Sequence, residues 1–283
     1  MSKDLEGKVF LVTGATEGIG KAAALDFARR NATLVIVGRN PEKTERVVSE
    51  LKTAGAYDRV DMLLGDMSKI ADIRAVAKGF AEKYDRIDVL VNNAGAMFTD
   101  YRLTPDGIEQ TFALNHIGYF LLTTELLDLI RKTPNARVVS TASEAHRMSK
   151  LDLDYVVKRA GKAGFAAYAD SKLANILFSL ELAKRLSGTS AVTNCVHPGY
   201  VKSGFGLNNG YAEGIILKIT GTLFARSVDK GAETLIWLAT HPDAVGYNGQ
   251  YFHDLKIRRI RARGDDPELA RRLWEFSEKL CKK

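Results

Sequence analysis

The sequence predicts a doubly wound α/β domain, one parallel sheet with helices on both faces. Three observations carry this expectation. Short β-branched runs alternate with helix-sized segments from the start of the chain. Most of those runs lack polar alternation, as strands buried on both faces of a parallel sheet do. No linker, internal repeat or low-complexity stretch divides the 283 residues, so one domain over residues 1–283 is expected.

The elements follow in order. Lys8–Thr13 reads as a strand that runs into a glycine-rich turn, and Ile19–Arg30 as the helix after it. Strands are then expected at Thr33–Val37, Arg59–Leu64, Asp88–Val91, Arg137–Ser140 and Ala191–Val196, and helices at Pro41–Ala54, Ile70–Tyr84, Pro105–Lys132 and Tyr168–Leu186. Pro41 and Pro105 suit first-turn positions, where a missing N–H costs little. Tyr200–Val228 breaks the rhythm with Gly204, Gly206, Asn208, Asn209 and Gly210 before a short apolar stretch. An insertion there would lie near the carboxyl ends of the strands, which makes residues 200–228 a candidate substrate lid. Pro267–Lys283, within a C-terminal extension around residues 265–283, reads as an amphipathic helix with Leu269, Leu273, Trp274, Phe276 and Leu280. It is expected to cover the core or contact a partner.

Composition narrows the class. With 46% apolar and 27% charged residues the chain is ordinary for a soluble globular protein, which argues against disorder over most of its length. The excess of 41 Lys and Arg over 34 Asp and Glu favours anionic ligands, but no nucleic-acid module accompanies it and no nucleic-acid partner is expected. Lys256, Arg258, Arg259, Arg261 and Arg263 form a local basic run. It reads as a solvated segment, or as a contact for anionic lipid, an acidic subunit or an anionic substrate. Cys195 and Cys281, and likewise His116, His146 and His197, lack metal-ligand spacing, so no metal is expected. Met1–Lys8 has no apolar core of a signal peptide, and no uncharged stretch reaches the ~18–20 residues of a bilayer span. A cytoplasmic location is expected, with no membrane span and peripheral association left open.

The glycine-rich turn is Thr13-Gly14-Ala15-Thr16-Glu17-Gly18-Ile19-Gly20. Glycine lets backbone approach a pyrophosphate closely and permits positive φ, while the following helix start presents free N–H groups. Gly14, Thr16, Glu17, Gly18, Ile19 and Gly20 are therefore the first candidate cofactor residues; the alternative is a tight turn only. The second strand ends at Val37-Gly38-Arg39-Asn40. An acid there would repel a ribose 2′-phosphate, whereas Arg39 attracts one, so NADP(H) is preferred, with NAD(H) compatible. Glu17 weighs mildly against this, and an ordinary surface arginine is the alternative. Asp66, with Met67 beside it, is the candidate for the adenine end; capping of the next helix is the competing role, which Ser68 could also fill.

Tyr168 and Lys172 are four residues apart and share a helix face. A phenol titrates near pH ~10. A neighbouring cation lowers that value, so the pair is a plausible acid–base device, with a contribution of ~10²–10⁴ in rate.

Taken together, the Thr13–Gly20 turn, Asn92-Asn93-Ala94-Gly95, a serine after the fifth strand, Tyr168-x-x-x-Lys172 and His197-Pro198-Gly199 resemble the short-chain dehydrogenase/reductase family over about residues 6–252. The resemblance implies a Rossmann-type fold and an NAD(P)-dependent oxidoreductase acting on an alcohol or carbonyl. It implies that Tyr168 exchanges a proton with the substrate oxygen, and that Lys172 holds the nicotinamide ribose and depresses the tyrosine's pKa. Ser143 would hydrogen-bond the reacting oxygen, with Ser140 the fallback, and Asn115 would organise a water for proton relay. Asn93, Ala94 and Gly95 would pass the ribose. Pro198, Gly199, Val201 and Ser203 would meet the carboxamide, Ser203 standing where a threonine is common.

The long Ser143-to-Tyr168 spacing, the Leu173–Phe178 run and Arg39 further resemble the retinol dehydrogenase-like branch, which implies an apolar retinoid-, steroid- or lipid-like aldehyde or ketone. The family's dimers pair the segments Pro105–Lys132 and Tyr168–Leu186, so a homodimer or homotetramer is compatible. Two rival readings are a dinucleotide-binding regulator without catalysis and a sugar-nucleotide epimerase of the extended branch. The complete serine–tyrosine–lysine set argues against the first. The glycine spacing and the short chain after residue 200 argue against the second.

Overall fold

The computed structural model describes residues 3–153, 163–201, 226–260 and 263–282. Among these, eight strands form one sheet in the order β3-β2-β1-β4-β5-β6-β7-β8. They are β1 (Val9–Thr13), β2 (Thr33–Gly38), β3 (Val60–Leu64), β4 (Val89–Asn92), β5 (Arg137–Thr141), β6 (Val192–Val196), β7 (Gln250–His253) and β8 (Lys256–Ile257). All pairings are parallel except β7 with β8. The order reverses between β1 and β4, and that switch point opens a crevice at the carboxyl ends of the strands.

Strand periodicity builds two cores. Val9, Leu11, Val35, Val37, Leu90 and Val138 point into one hydrophobic cluster, while Phe10, Val12, Leu34, Ile36, Val91 and Val139 point into the other. Helices α1 (Gly18–Arg29), α2 (Pro41–Leu51) and, later in the chain, Val228–Thr240 cover the second cluster. The first is covered by α3 (Ile70–Lys83), α4 (Gln110–Phe112), α5 (Gly118–Glu125), α6 (Leu127–Lys132), α7 (Phe165–Arg185) and the C-terminal helix. With Val228–Thr240 as α8 and Pro267–Cys281 as α9, the doubly wound class is what the structure shows.

Several local expectations are corrected. Pro105 does not start a helix: it lies in a turn closed by Gly107 N donating to Thr104 O at 2.9 Å, with Gly107 at φ +75°. The helical segment begins instead at Gln110, where the Glu109 carboxylate accepts from the Thr111 and Phe112 amides. It is also broken, because Ala113–Ile117 forms a π-turn between α4 and α5. The expected helix Pro41–Ala54 stops at Leu51 and gives way to a wide turn with Gly55 at φ +142°. Strands β7 and β8 and helix α8 were not expected; β7 and β8 have four and two residues, too few for a legible period.

The C-terminal helix covers the core. Leu269, Leu273, Trp274 and Leu280 are buried. Trp274 stacks on Phe178 of α7 at 5.8 Å and meets Phe120 of α5 edge-on at 4.9 Å. It therefore lies across both segments that the family resemblance assigns to dimer pairing. Of the candidate lid, residues 202–225 fall outside the described residues, Ser203 and the apolar stretch included. Val201 and Arg226, on either side, are joined in a parallel bridge. In the basic run, Lys256, Arg258 and Arg259 are exposed, Arg263 pairs with Asp266 at 3.0 Å, and Arg261 is outside the described residues.

Candidate active site

The glycine turn is held from below by β4. Thr13 Oγ1 accepts from the amides of Asn93 and Ala94 at 3.0 and 3.1 Å. The Asn93 side chain donates to Thr13 O and Gly14 O. A Cβ on Gly14 would stand 2.7 Å from Ala94 Cα, and one on Gly20 would stand 2.3 Å from Gly14 O. Both glycines are thus required by packing of the turn on Asn93–Ala94, before any ligand is considered. Gly18 adopts φ +56°. Glu17 occupies the N-cap of α1 but makes no side-chain capping bond, so the first-turn amides keep no side-chain acceptor. That surface fits a pyrophosphate.

Arg39 follows β2 as expected and is largely exposed; its nearest carboxylate is Asp66, at 4.0 Å. Asp66 caps neither end of α3. Its Oδ1 accepts from Ser68 N and Oγ, while the first amide of α3, Ile70 N, finds Asp106. Met67 is buried, and its carbonyl lies where a Cβ on Gly118 would come within 2.6 Å. Glu17 is engaged by Lys43 Nζ at 2.6 Å, a residue the sequence reading did not single out.

Helix α7 delivers Tyr168 and Lys172 to one place. Lys172 is 3% exposed. Its Nζ lies 5.5 Å from the Tyr168 ring centroid and donates to Thr141 O at 3.1 Å. Ser143, two residues beyond β5, hydrogen-bonds the Tyr168 phenol. Its own position is set by a short turn, where Oγ accepts from Ala145 N and the carbonyl accepts from His146. Ser140, the fallback, lies inside β5, fully buried, and its hydroxyl has no partner.

Electrostatics at this centre differ from the expectation that the lysine acidifies the tyrosine. Burial pushes the Tyr168 phenol up to about 12, opposed by the Ser143 hydrogen bond. Burial also pulls Lys172 down to about 7. Desolvation disfavours both charged forms, and Nζ is committed to the Thr141 carbonyl. At neutral pH the phenol carries its proton.

Asn115 sits in the π-turn, fully buried. Its Oδ1 accepts from Ala96 N, and its Nδ2 donates to Ala96 O and Ser171 Oγ, at 2.9, 2.9 and 3.0 Å. The side chain therefore ties the segment after β4 to α7. Gly95 is exposed beside it; a Cβ there would meet Asn115 Oδ1 at 3.1 Å and Lys172 Nζ at 3.5 Å. Beyond β6, Gly199 at φ +84° leaves room for the Arg226 side chain, which a Cβ would touch at 2.9 Å. His197 is pulled down to about 4 by burial and the nearby His253, so it is neutral here. Pro198, Gly199 and Val201 border the same carboxyl-end crevice as the glycine turn. Val201 and Ile19 both lie where a Cβ on Gly231 of α8 would intrude, at 2.5 and 3.1 Å.

Three contributors escaped sequence reading. Thr13 acts through its hydroxyl as the acceptor for two amides. Thr141 acts through a carbonyl, which no side-chain motif advertises; it accepts from both Lys172 Nζ and Asn175 Nδ2. Asn175 is three residues past Lys172, and that helical spacing was the available signal.

Comparison with known proteins places the chain. The model of the short chain dehydrogenase family matches residues 8–210. Retinol dehydrogenase 12 of Mus musculus is 37% identical over 98% of this chain and 87% of its own length. Polyprenol dehydrogenase of Homo sapiens is 35% identical over 95% and 84%. Among solved structures, a short chain dehydrogenase from Burkholderia cenocepacia in complex with NADP matches with a TM-score of 0.70 and 25% identity, over 88% of this chain and 96% of that one. A glycine turn on the first strand and a Ser143–Tyr168–Lys172 centre on this sheet order define the class: the chain belongs to the short-chain dehydrogenase family, NAD(P)-dependent oxidoreductases acting on CH–OH donors. Within that family it falls in the retinol dehydrogenase-like branch.

Proposed function

We propose that the protein reduces apolar aldehydes or ketones with NADPH, with Tyr168 as the proton donor. One observation carries the chemistry: Ser143, Tyr168 and Lys172 meet at the carboxyl-end crevice, and the phenol is protonated at neutral pH. A bound nicotinamide would supply the hydride. As negative charge develops on the substrate oxygen, Ser143 and Tyr168 are the donors placed to receive it, and Tyr168 transfers its proton. Lys172 stands beside the ring to stabilise the phenolate left behind. The Asn115 amide is already engaged with Ala96 and Ser171, so a proton relay at this residue would use its backbone carbonyl.

Apolarity of the substrate is supported by the rim. Met148 beyond Ser143, Phe165 one turn before Tyr168, and Tyr200 after Gly199 are all exposed large apolar side chains. Relatives named for retinol and polyprenol point the same way. NADP(H) is supported by Arg39 at the end of β2 and by the NADP-bound neighbour. Among the described residues no helix is long and apolar enough to cross a membrane.

The test is a panel of retinal, long-chain aldehydes, apolar ketones and polar sugars, followed at the nicotinamide absorbance with NADPH and with NADH. Turnover of the apolar carbonyls with NADPH is expected. Turnover of the sugars alone, or binding of dinucleotide with no turnover of any carbonyl, would sink the proposal.

A further inference from the structure

We infer that Lys43 is a second cation for a ribose 2′-phosphate and that Glu17 is its resident counter-ion, displaced when the phosphate arrives. The inference rests on the NADP(H) reading above and deepens it.

The turn from β2 into α2 is rigidly built. Asn40 caps α2 by accepting from Lys43 N at 2.8 Å, and Pro41 occupies the first turn. Thr44 Oγ1 donates to Asn40 O at 2.7 Å and fills the space beside Gly38, where a Cβ would stand 2.0 Å from that hydroxyl. This turn therefore presents Arg39 and Lys43 from one fixed frame. Lys43 Nζ reaches back to Glu17 Oε2 at 2.6 Å, over the glycine turn. Arg39 has its own carboxylate neighbour, Asp66, at 4.0 Å. Two cations thus flank the gap between the glycine turn and the end of β2, the gap an adenosine ribose would occupy.

Each cation now faces a single carboxylate; the Lys43–Glu17 pair is exposed, and Arg39 reaches the half-buried Asp66 only at 4.0 Å. Lys43 and Glu17 are 47% and 58% exposed, Arg39 is 62% exposed, and ion pairs so exposed are weak. A phosphate monoester carries ~1.5–2 negative charges and can accept from both cations at once. It would win Lys43 from Glu17, which is free to turn into solvent. A ribose with a bare 2′-hydroxyl offers no such charge and leaves the Lys43–Glu17 pair intact. Glu17, which in sequence counts against a phosphate, is in the structure paired with Lys43, the cation from which a phosphate would displace it.

Calorimetry with 2′,5′-ADP and with ADP, on the wild type and on Lys43→Met, Glu17→Gln and the double variant at two salt concentrations, tests this without turnover. Lys43→Met is expected to weaken 2′,5′-ADP by about tenfold, to flatten its salt dependence, and to leave ADP within about twofold. Glu17→Gln is expected to tighten 2′,5′-ADP several-fold in the wild-type background and to lose that effect beside Lys43→Met. If the wild type prefers 2′,5′-ADP and Lys43→Met keeps the whole preference, Lys43 has no such role while NADP(H) stands. If the wild type binds both nucleotides equally, the NADP(H) reading and this inference fall together. If Glu17→Gln weakens 2′,5′-ADP, Glu17 is not a displaced counter-ion.

Discussion

The two ends of the sheet invite comparison, because a groove opens at one and the proposed chemistry lies at the other. At the amino ends, a groove of about 1160 Å³ is lined by Lys8, Asp26, Arg30, Asp88, Arg137 and Trp237, among others. Its charges are spent on each other. Asp88 accepts from Val9 N, Arg86 and Lys8. Arg30 engages Asp4, Asp26 and Thr240. Arg137 caps the end of α8 through Leu238 O and His241 O. At the carboxyl ends the opposite holds: among the described residues Lys172 pairs with the Thr141 carbonyl and with no carboxylate, and the half-buried Tyr168 keeps its proton at neutral pH.

Changes at one end should alter turnover, and changes at the other should alter stability. Tyr168→Phe is expected to lower kcat by ~10²–10⁴ with the melting temperature nearly unchanged, read from NADPH consumption and a thermal melt on the same samples. A loss under tenfold would remove the phenol from the chemistry. Next comes pH. With the phenol at about 12, alcohol oxidation, which needs phenolate, should rise about tenfold per unit from pH 7 to 10, while carbonyl reduction stays nearly flat. A plateau of oxidation near pH 8 would mean that Lys172 is charged and acidifying the phenol after all.

Gly20→Ala would drive a methyl onto Gly14 O and Asn93 Nδ2, so dinucleotide binding should weaken by roughly tenfold, with ~1–3 kcal/mol of stability lost; calorimetry and denaturant melts read the two effects. Asp88→Asn, at the amino ends, should leave kcat within twofold and cost about 2–3 kcal/mol of stability at pH 7. Burial raises the Asp88 pKa, but its Arg86, Val9 and Lys8 hydrogen bonds lower it further, below the usual carboxylate range. Its contribution is therefore present above pH ~4 and lost as pH falls through the depressed folded value, so the variant should melt with a flatter acid limb. If kcat falls as far as stability, the two ends are coupled and the comparison fails.

How much was legible follows from the range of each cause. The six strands from β1 to β6 lie within two residues of their expected bounds, because burial on both faces marks nearly every residue of β1, β2, β4, β5 and β6, while the edge strand β3, buried only at Val60, shows as a short apolar run. The placement of Arg39, Ser143, Tyr168 and Lys172 was legible because each lies at a fixed distance from a strand end or on one helix face. Pro105 misled, since a proline that starts helices also starts turns, and only Gly107 and Glu109 decide between them. Helix α8 and strands β7 and β8 were missed because their identity comes from what they pack against.

Sequence alone determined what is local: the alternation that makes the sheet, the glycines at the first turn, and a phenol one helical turn from an amine. Tertiary structure alone decided the rest. It turned Thr141's carbonyl toward Lys172, laid the last helix across α5 and α7, paired Lys43 with Glu17, and desolvated the Tyr168 phenol so that its pKa rises rather than falls. The physical reason is that burial and charge pairing are set by atoms distant along the chain, and no window of neighbouring residues contains them.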